Sequence, residues 1–187
     1  MLTQTKAKTM EETMHILFVC TGNTCRSPMA AAFLRRRVEE RGLPWRVDSA
    51  GLMAMDGAPM TEHAANALSR RQVRAEGHQA KRLTREMLRE SDLVLTMSRS
   101  HRDALVQVFP ELADKVYTLY AFAHDVPERE AQDVADPFGG GEAEYEACAS
   151  QLADLVDLAF ERLLRTTAQG PEEGPEVKGD GASSEGD

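Results

Sequence analysis

Apolar residues in this chain gather into short solid runs, with longer stretches of mixed character between them. Ile16 to Cys20 is the first such run. It ends at a glycine-containing turn and predicts a buried strand. Ser27 and Pro28 then mark a helix start, with Ser suited to the cap and Pro to the first helical position. That helix is expected to reach about Arg41 and to stop at Gly42. Trp45 to Ser49, closed by Gly51, predicts a second strand; Leu93 to Met97 predicts a third and Val116 to Leu119 a fourth. Helical patterning covers Thr61 to Arg71, Thr84 to Glu90, Ser100 to Phe109 and Glu142 to Arg165. In the last of these, Cys148, Leu152, Leu155, Ala159 and Leu163 recur at helical spacing, so one stripe faces a core. Strands alternating with helices predict an α/β fold with a parallel sheet covered on both faces and right-handed crossovers. Ligands in such folds sit outside the carboxyl ends of the strands, so the loop that begins at Cys20 draws attention.

Composition narrows the class. The 187 residues suffice for one domain with a substantial core, and 42% hydrophobic with 28% charged residues is a globular balance. Met1 to Thr13 has no apolar periodicity and reads as a loose leader without the apolar centre of a signal peptide. Ala168 to Asp187 holds five Gly, two Pro, six acids and one Lys, which predicts a disordered acidic tail. The net charge is −9, and the tail carries most of it, so the body is only mildly acidic. A dedicated nucleic-acid binder would show a basic footprint, so nucleic acid is not an expected partner. No apolar run approaches the length of a membrane span, so no membrane association is expected either. Three cysteines, an odd number, fit a reducing compartment, and the expected location is the cytoplasm.

Cys20-Thr21-Gly22-Asn23-Thr24-Cys25-Arg26-Ser27 joins the first strand to the first helix. A phosphate cradle needs several backbone N–H groups turned inward, and Gly22 and Asn23 both tolerate the positive φ this demands. The loop runs straight into a helix, whose amino end adds partial positive charge. Arg26 supplies a planar fork for two phosphoryl oxygens. Cys20 lies at the base of this positive cradle, which favours its thiolate, and Ser27 is placed to donate a hydrogen bond to the sulfur. The Cys20 and Cys25 pair lacks the further Cys or His ligands of a zinc site, since the third cysteine is Cys148. The loop also lacks the Gly-Lys-Ser/Thr ending of a Walker A sequence.

Cys20 to Ser27 resembles the C-x5-R-S signature of the low-molecular-weight protein tyrosine phosphatases, in the strand–loop–helix context of that family. The resemblance extends through Asp136-Pro137-Phe138, similar to the family's general-acid loop, and covers about His15 to Arg165. Within the family the CTGNTCRSPMA loop and the DPFGG segment look most like the bacterial protein arginine phosphatases. Tyrosine-directed members carry a bulky aliphatic residue in the place of Thr24 and aromatic residues after the DP pair. Here Phe138 is followed by Gly139, Gly140 and Gly141.

The resemblance implies a flavodoxin-like three-layer sandwich with a central four-stranded parallel sheet, spanning 14–167 between the leader and the tail. It implies a hydrolase that works on phosphorylated proteins as a monomer, without metal or organic cofactor. Cys20 is then the nucleophile, Arg26 and the loop from Thr21 to Ser27 bind phosphate, and Asp136 is general acid and then base. Thr24 and Phe138 set specificity, phosphoarginine being expected and phosphotyrosine the alternative. Ser49 and His78 support Asn23 in its unusual backbone conformation.

Two rival readings fit less well. A thiol-coupled arsenate reductase needs relay cysteines, and none lies between Cys25 and Cys148. A binding module for phosphorylated residues has no use for a nucleophile and an acid together. Cys25 reads either as a resolving thiol for an oxidised Cys20 or as a small residue filling the loop. Cys148 falls on the apolar stripe and reads as core. Arg35-Arg36-Arg37 reads as a solvated helix face, and the basic stretch from Arg70 to Arg102 as a salt-bridged surface.

Overall fold

The computed structural model describes residues 8, 9, 11–75 and 77–168. Its strands are β1 His15–Cys20, β2 Arg46–Gly51, β3 Leu93–Thr96 and β4 Val116–Thr118. They form one parallel sheet in the order β2-β1-β3-β4. β1 therefore runs through the middle, and all six of its residues are buried. Successive side chains of a strand point to opposite faces. Ile16, Phe18 and Cys20 accordingly join one apolar cluster, while Leu17 and Val19 join another.

The first cluster is closed by α1 Arg26–Glu40, α2 Glu62–Arg70, α5 Leu119–His124 and α6 Glu142–Ala168. The second is closed by α3 Arg85–Glu90 and α4 Arg99–Val108, through Leu88 and Leu105. The result is the three-layer α/β sandwich that the alternation of strands and helices predicts. α1 is wedged between the sheet and α6, and its residues from Arg26 to Leu34 are all buried. The small residues Ala30, Ala31 and Ala32 allow that close approach.

Three local expectations need correction. α1 begins one residue before Ser27, with Cys25 at the cap position and no side-chain cap. Ser27 is buried in the first turn, and its hydroxyl serves the loop instead. The fourth strand stops at Thr118, whose side chain accepts from Ala121 N–H and starts α5 at the residue expected to end the strand. Short apolar runs do not distinguish strand from helix, which is why α5 escapes the pattern. Gly22 does not adopt positive φ; in the loop that conformation belongs to Asn23 alone, at φ 55°.

Lys8 Nζ reaches Asp92 Oδ2 at 2.7 Å, so the segment before β1 has a contact with the domain. Ala168 closes α6, and the rest of the expected tail lies outside the described residues. Among the described residues no helix is long and apolar enough to cross a membrane. The basic stretch is paired with carboxylates, Arg70 with Glu142 and Glu146, Arg71 with Glu146, and Arg85 with Glu111.

Candidate active site

The chain turns sharply between Cys20 at the end of β1 and Arg26 at the start of α1, and neighbouring segments take up the loop carbonyls. Those of Cys20, Thr21 and Thr24 accept from the N–H groups of Leu52 (2.9 Å), Met53 (2.9 Å) and Thr61 (3.0 Å). That of Asn23 accepts from His78 Nε2 at 2.8 Å. A trans peptide sets its C=O and N–H on opposite sides, and none of the described peptides is cis. With the carbonyls of Thr21, Asn23 and Thr24 held outward, the N–H groups of Gly22, Thr24 and Cys25 turn inward. The uncapped amino end of α1 adds its own free N–H groups to this anion-binding concavity.

Asn23 holds the loop from within and is fully buried. Its Nδ2 donates to Ser27 Oγ and to Ser49 Oγ, both at 2.9 Å, and its Oδ1 accepts from Lys81 N–H at 2.9 Å. Ser49 and His78 thus both bond to Asn23, one at the side chain and one at the carbonyl. Because a carbonyl only accepts, His78 Nε2 carries the ring proton in this bond. Burial holds His78 below the usual histidine range, aided by the cations Arg35 and Lys81 and opposed by the bond to Asn23.

Cys20 Sγ lies 2.9 Å from Ser27 Oγ and accepts from Asn23 N–H at 3.3 Å. Ser27 Oγ already accepts from Asn23, so its single hydrogen is free for the sulfur, the nearer of two acceptors beside the more distant Ala50 carbonyl. Arg26 is 6% exposed. It donates from Nη1 to the Val134 carbonyl at 3.2 Å and from Nη2 to Asp136 Oδ2 at 2.6 Å. Its Nε is buried with no partner among the described residues, a donor that an oxyanion at the loop would satisfy. Asp136 is half exposed and also accepts from Phe138 N–H at 3.1 Å, which fixes its carboxylate at the rim.

These groups line one cavity of about 190 Å³, walled by Cys20, Thr21, Gly22, Thr24, Cys25, Arg26, Asp136 and Phe138. The three expected catalytic residues and both expected specificity residues therefore meet in one place. A larger groove of about 730 Å³ runs past Arg35, Asp48, Arg74 and Lys81 behind His78, and no cysteine lines it.

A sequence model of the family described as low molecular weight phosphotyrosine protein phosphatase matches residues 15–169. The chain belongs to that family. A protein-arginine-phosphatase of Geobacillus stearothermophilus is 42% identical over 149 residues, 79% of this chain and 95% of the relative. One of Bacillus subtilis is 39% identical over 152 residues, 81% of this chain and 98% of the relative. Among solved structures, a YwlE arginine phosphatase mutant with a phosphorylated active-site serine superposes with a TM-score of 0.75 at 37% identity. The match covers 80% of this chain and 95% of that one.

Several residues of this phosphatase site escape sequence reasoning. Gly51 faces Cys20 across the β1–β2 pair, and a β-carbon there would lie 2.6 Å from the Thr21 carbonyl and 2.9 Å from Asn23 N. Only glycine lets the loop lie so close to β2. His101 Nε2 lies 2.8 Å from Thr21 Oγ1, and Tyr145 OH lies 3.2 Å from Cys25 Sγ. Burial, with the Cys25 contact, pushes the Tyr145 phenol up to about 12. Cys148 sits in the core, where burial pushes its thiol up to about 12. His101 and Tyr145 lie far from the loop in sequence, so spacing gives no signal for them, whereas the core place of Cys148 is the one its helical spacing predicts.

Proposed function

We propose that this phosphatase removes phosphate from arginine side chains of proteins through a phosphocysteine on Cys20. The observation that carries the reading is Thr24. Its compact hydroxyl-bearing side chain lines the cavity that holds Cys20, Arg26 and Asp136. A phosphoarginine places a planar, polar guanidinium beside the phosphorus, and a small polar wall accommodates it. The names of the Geobacillus and Bacillus relatives support the same substrate.

In the first displacement the Cys20 thiolate attacks phosphorus in line, the S–P bond forming as the P–N bond breaks. The inward N–H groups and Arg26 hold the equatorial oxygens as charge develops. Asp136 gives a proton to the departing guanidine nitrogen. In the second displacement Asp136 takes a proton from water, which attacks the phosphocysteine and returns Cys20 as thiolate with release of inorganic phosphate. Ser27 donates to the sulfur at both stages. On this reading the enzyme is a monomer of the bacterial cytoplasm, with phosphorylated proteins as partners and neither nucleic acid nor membrane among them.

A phosphotyrosine reading has one observation in its favour, the exposed Phe138 ring at the cavity rim. Matched peptides that differ only in carrying phosphoarginine or phosphotyrosine separate the two. The expected result is a kcat/KM at least about tenfold higher for phosphoarginine, the low end of pocket-based discrimination. Equal or better turnover of phosphotyrosine overturns the proposal.

A further inference from the structure

Thr21 follows the cysteine directly and is exposed on the cavity wall, and behind it stands a buried histidine that the two displacements do not use. β3 lies beside β1 in the sheet, with Thr96 paired to Val19, so the chain leaving β3 arrives next to the loop leaving β1. Ser98 caps α4 there by accepting from His101 N–H at 3.3 Å. His101 is 6% exposed and its ring bonds at both nitrogens. Nδ1 lies 2.9 Å from Ser98 Oγ and Nε2 lies 2.8 Å from Thr21 Oγ1.

The network accommodates a proton arrangement in which Ser100 Oγ, 2.9 Å away, donates to Ser98 Oγ, and Ser98 Oγ, already accepting from the His101 backbone, gives its own hydrogen to Nδ1. Nε2 then carries the ring proton and donates it to Thr21 Oγ1. Burial, and after it the Arg26 cation, hold His101 below the usual histidine range, while Asp136 and Asp133 pull the other way. Ring burial and the nearby cation thus favour the neutral form that this assignment requires. With one Thr21 lone pair engaged from behind, the Thr21 hydrogen is left to point into the cavity beside Cys20 and Arg26.

We infer that Thr21 is a catalytic residue and His101 its positioning residue: His101 holds Thr21 Oγ1 so that the hydroxyl donates to a phosphoryl oxygen as charge builds there. The inference rests on phosphoryl transfer at Cys20, but not on which side chain carries the phosphate. It adds one side-chain donor to the wall formed by the backbone N–H groups of the cavity that Asp136 also lines.

The test is a double-mutant cycle in kcat, run with both phosphoarginine and phosphotyrosine peptides, with thermal unfolding as the check on folding. Thr21→Val keeps the shape and removes the hydroxyl, and is expected to lower kcat at least about tenfold on both peptides, the low end for a hydrogen bond to a charged group. Thr21→Ser restores kcat to within about threefold, since the hydroxyl returns. His101→Leu alone lowers kcat by the same factor as Thr21→Val, and in the Thr21→Val background it lowers it no further. Losses that multiply, or a Thr21→Val enzyme with wild-type kcat, overturn the inference. If His101→Leu fails to fold, His101→Phe takes its place in the cycle, and the Thr21→Val and Thr21→Ser pair still tests the hydroxyl, because Thr21 is on the surface of the cavity. A wild-type enzyme inert toward both peptides fails the phosphatase reading itself, an outcome distinct from multiplying losses.

Discussion

Replacing Asn23 tests whether the loop is held by the bonds described. Asn23→Ala deletes three side-chain hydrogen bonds, to Ser27, Ser49 and the Lys81 N–H. At about 0.5–1.5 kcal/mol net for each, their loss costs about 1.5–4.5 kcal/mol. Alanine must also hold φ near 55°, where an L-residue with no locally bonding side chain is strained by about 1–2 kcal/mol. The expected destabilisation is therefore about 2.5–6.5 kcal/mol. Asn23→Gly loses the same bonds but not the backbone preference, so it should be more stable than the alanine variant by about 1 kcal/mol. Urea unfolding followed by the fluorescence of Trp45, the single and buried tryptophan, measures both. Both variants should also lose most activity, because the N–H groups of the loop no longer converge. The reasoning fails if both variants lose less than about 1 kcal/mol and keep wild-type kcat/KM.

Thr24→Ile should lower kcat/KM for phosphoarginine and raise it for phosphotyrosine, shifting discrimination by roughly 10- to 200-fold; equal loss toward both would reduce Thr24 to a loop support. Mild peroxide should inactivate the enzyme reversibly, oxidising Cys20 to a sulfenic acid that Cys25 converts to a disulfide with loss of water. Both thiols are free and line the same cavity, and peptide mapping that finds no such link removes the idea. His78 and His101 are both held below the usual range chiefly by burial, so the unfolded chain binds protons that the folded one refuses. Stability is then full above about pH 6.5 and falls as the pH drops below it. Urea midpoints at pH 7 and pH 5.5 should show this fall, His101→Gln should reduce it, and a flat profile in the wild type contradicts the burial argument.

The sheet was legible in the sequence because β1 and β3 are solid apolar runs between helices with clear stripes. The cradle was legible because Cys20, Asn23, Arg26 and Ser27 act within a few residues of one another. What the pattern missed depends on strand register. Gly51 matters because pairing sets it opposite Cys20, and His101 because β3 delivers α4 beside the loop. Ser27 read both as a cap and as a partner of the Cys20 sulfur; only the second holds, because its hydroxyl is committed to Asn23 and Cys20.

The central claim is that phosphate passes from arginine to water by way of Cys20. Enzyme in excess, mixed with a phosphoarginine protein and quenched over time with detergent at mildly alkaline pH, where the P–N bond survives, follows that passage in one turnover. Peptide mapping should find phosphate on the peptide containing Cys20, rising and then decaying as inorganic phosphate appears, and Cys20→Ala should show neither. Phosphate on a different residue, or release by Cys20→Ala at the wild-type rate, would contradict the account.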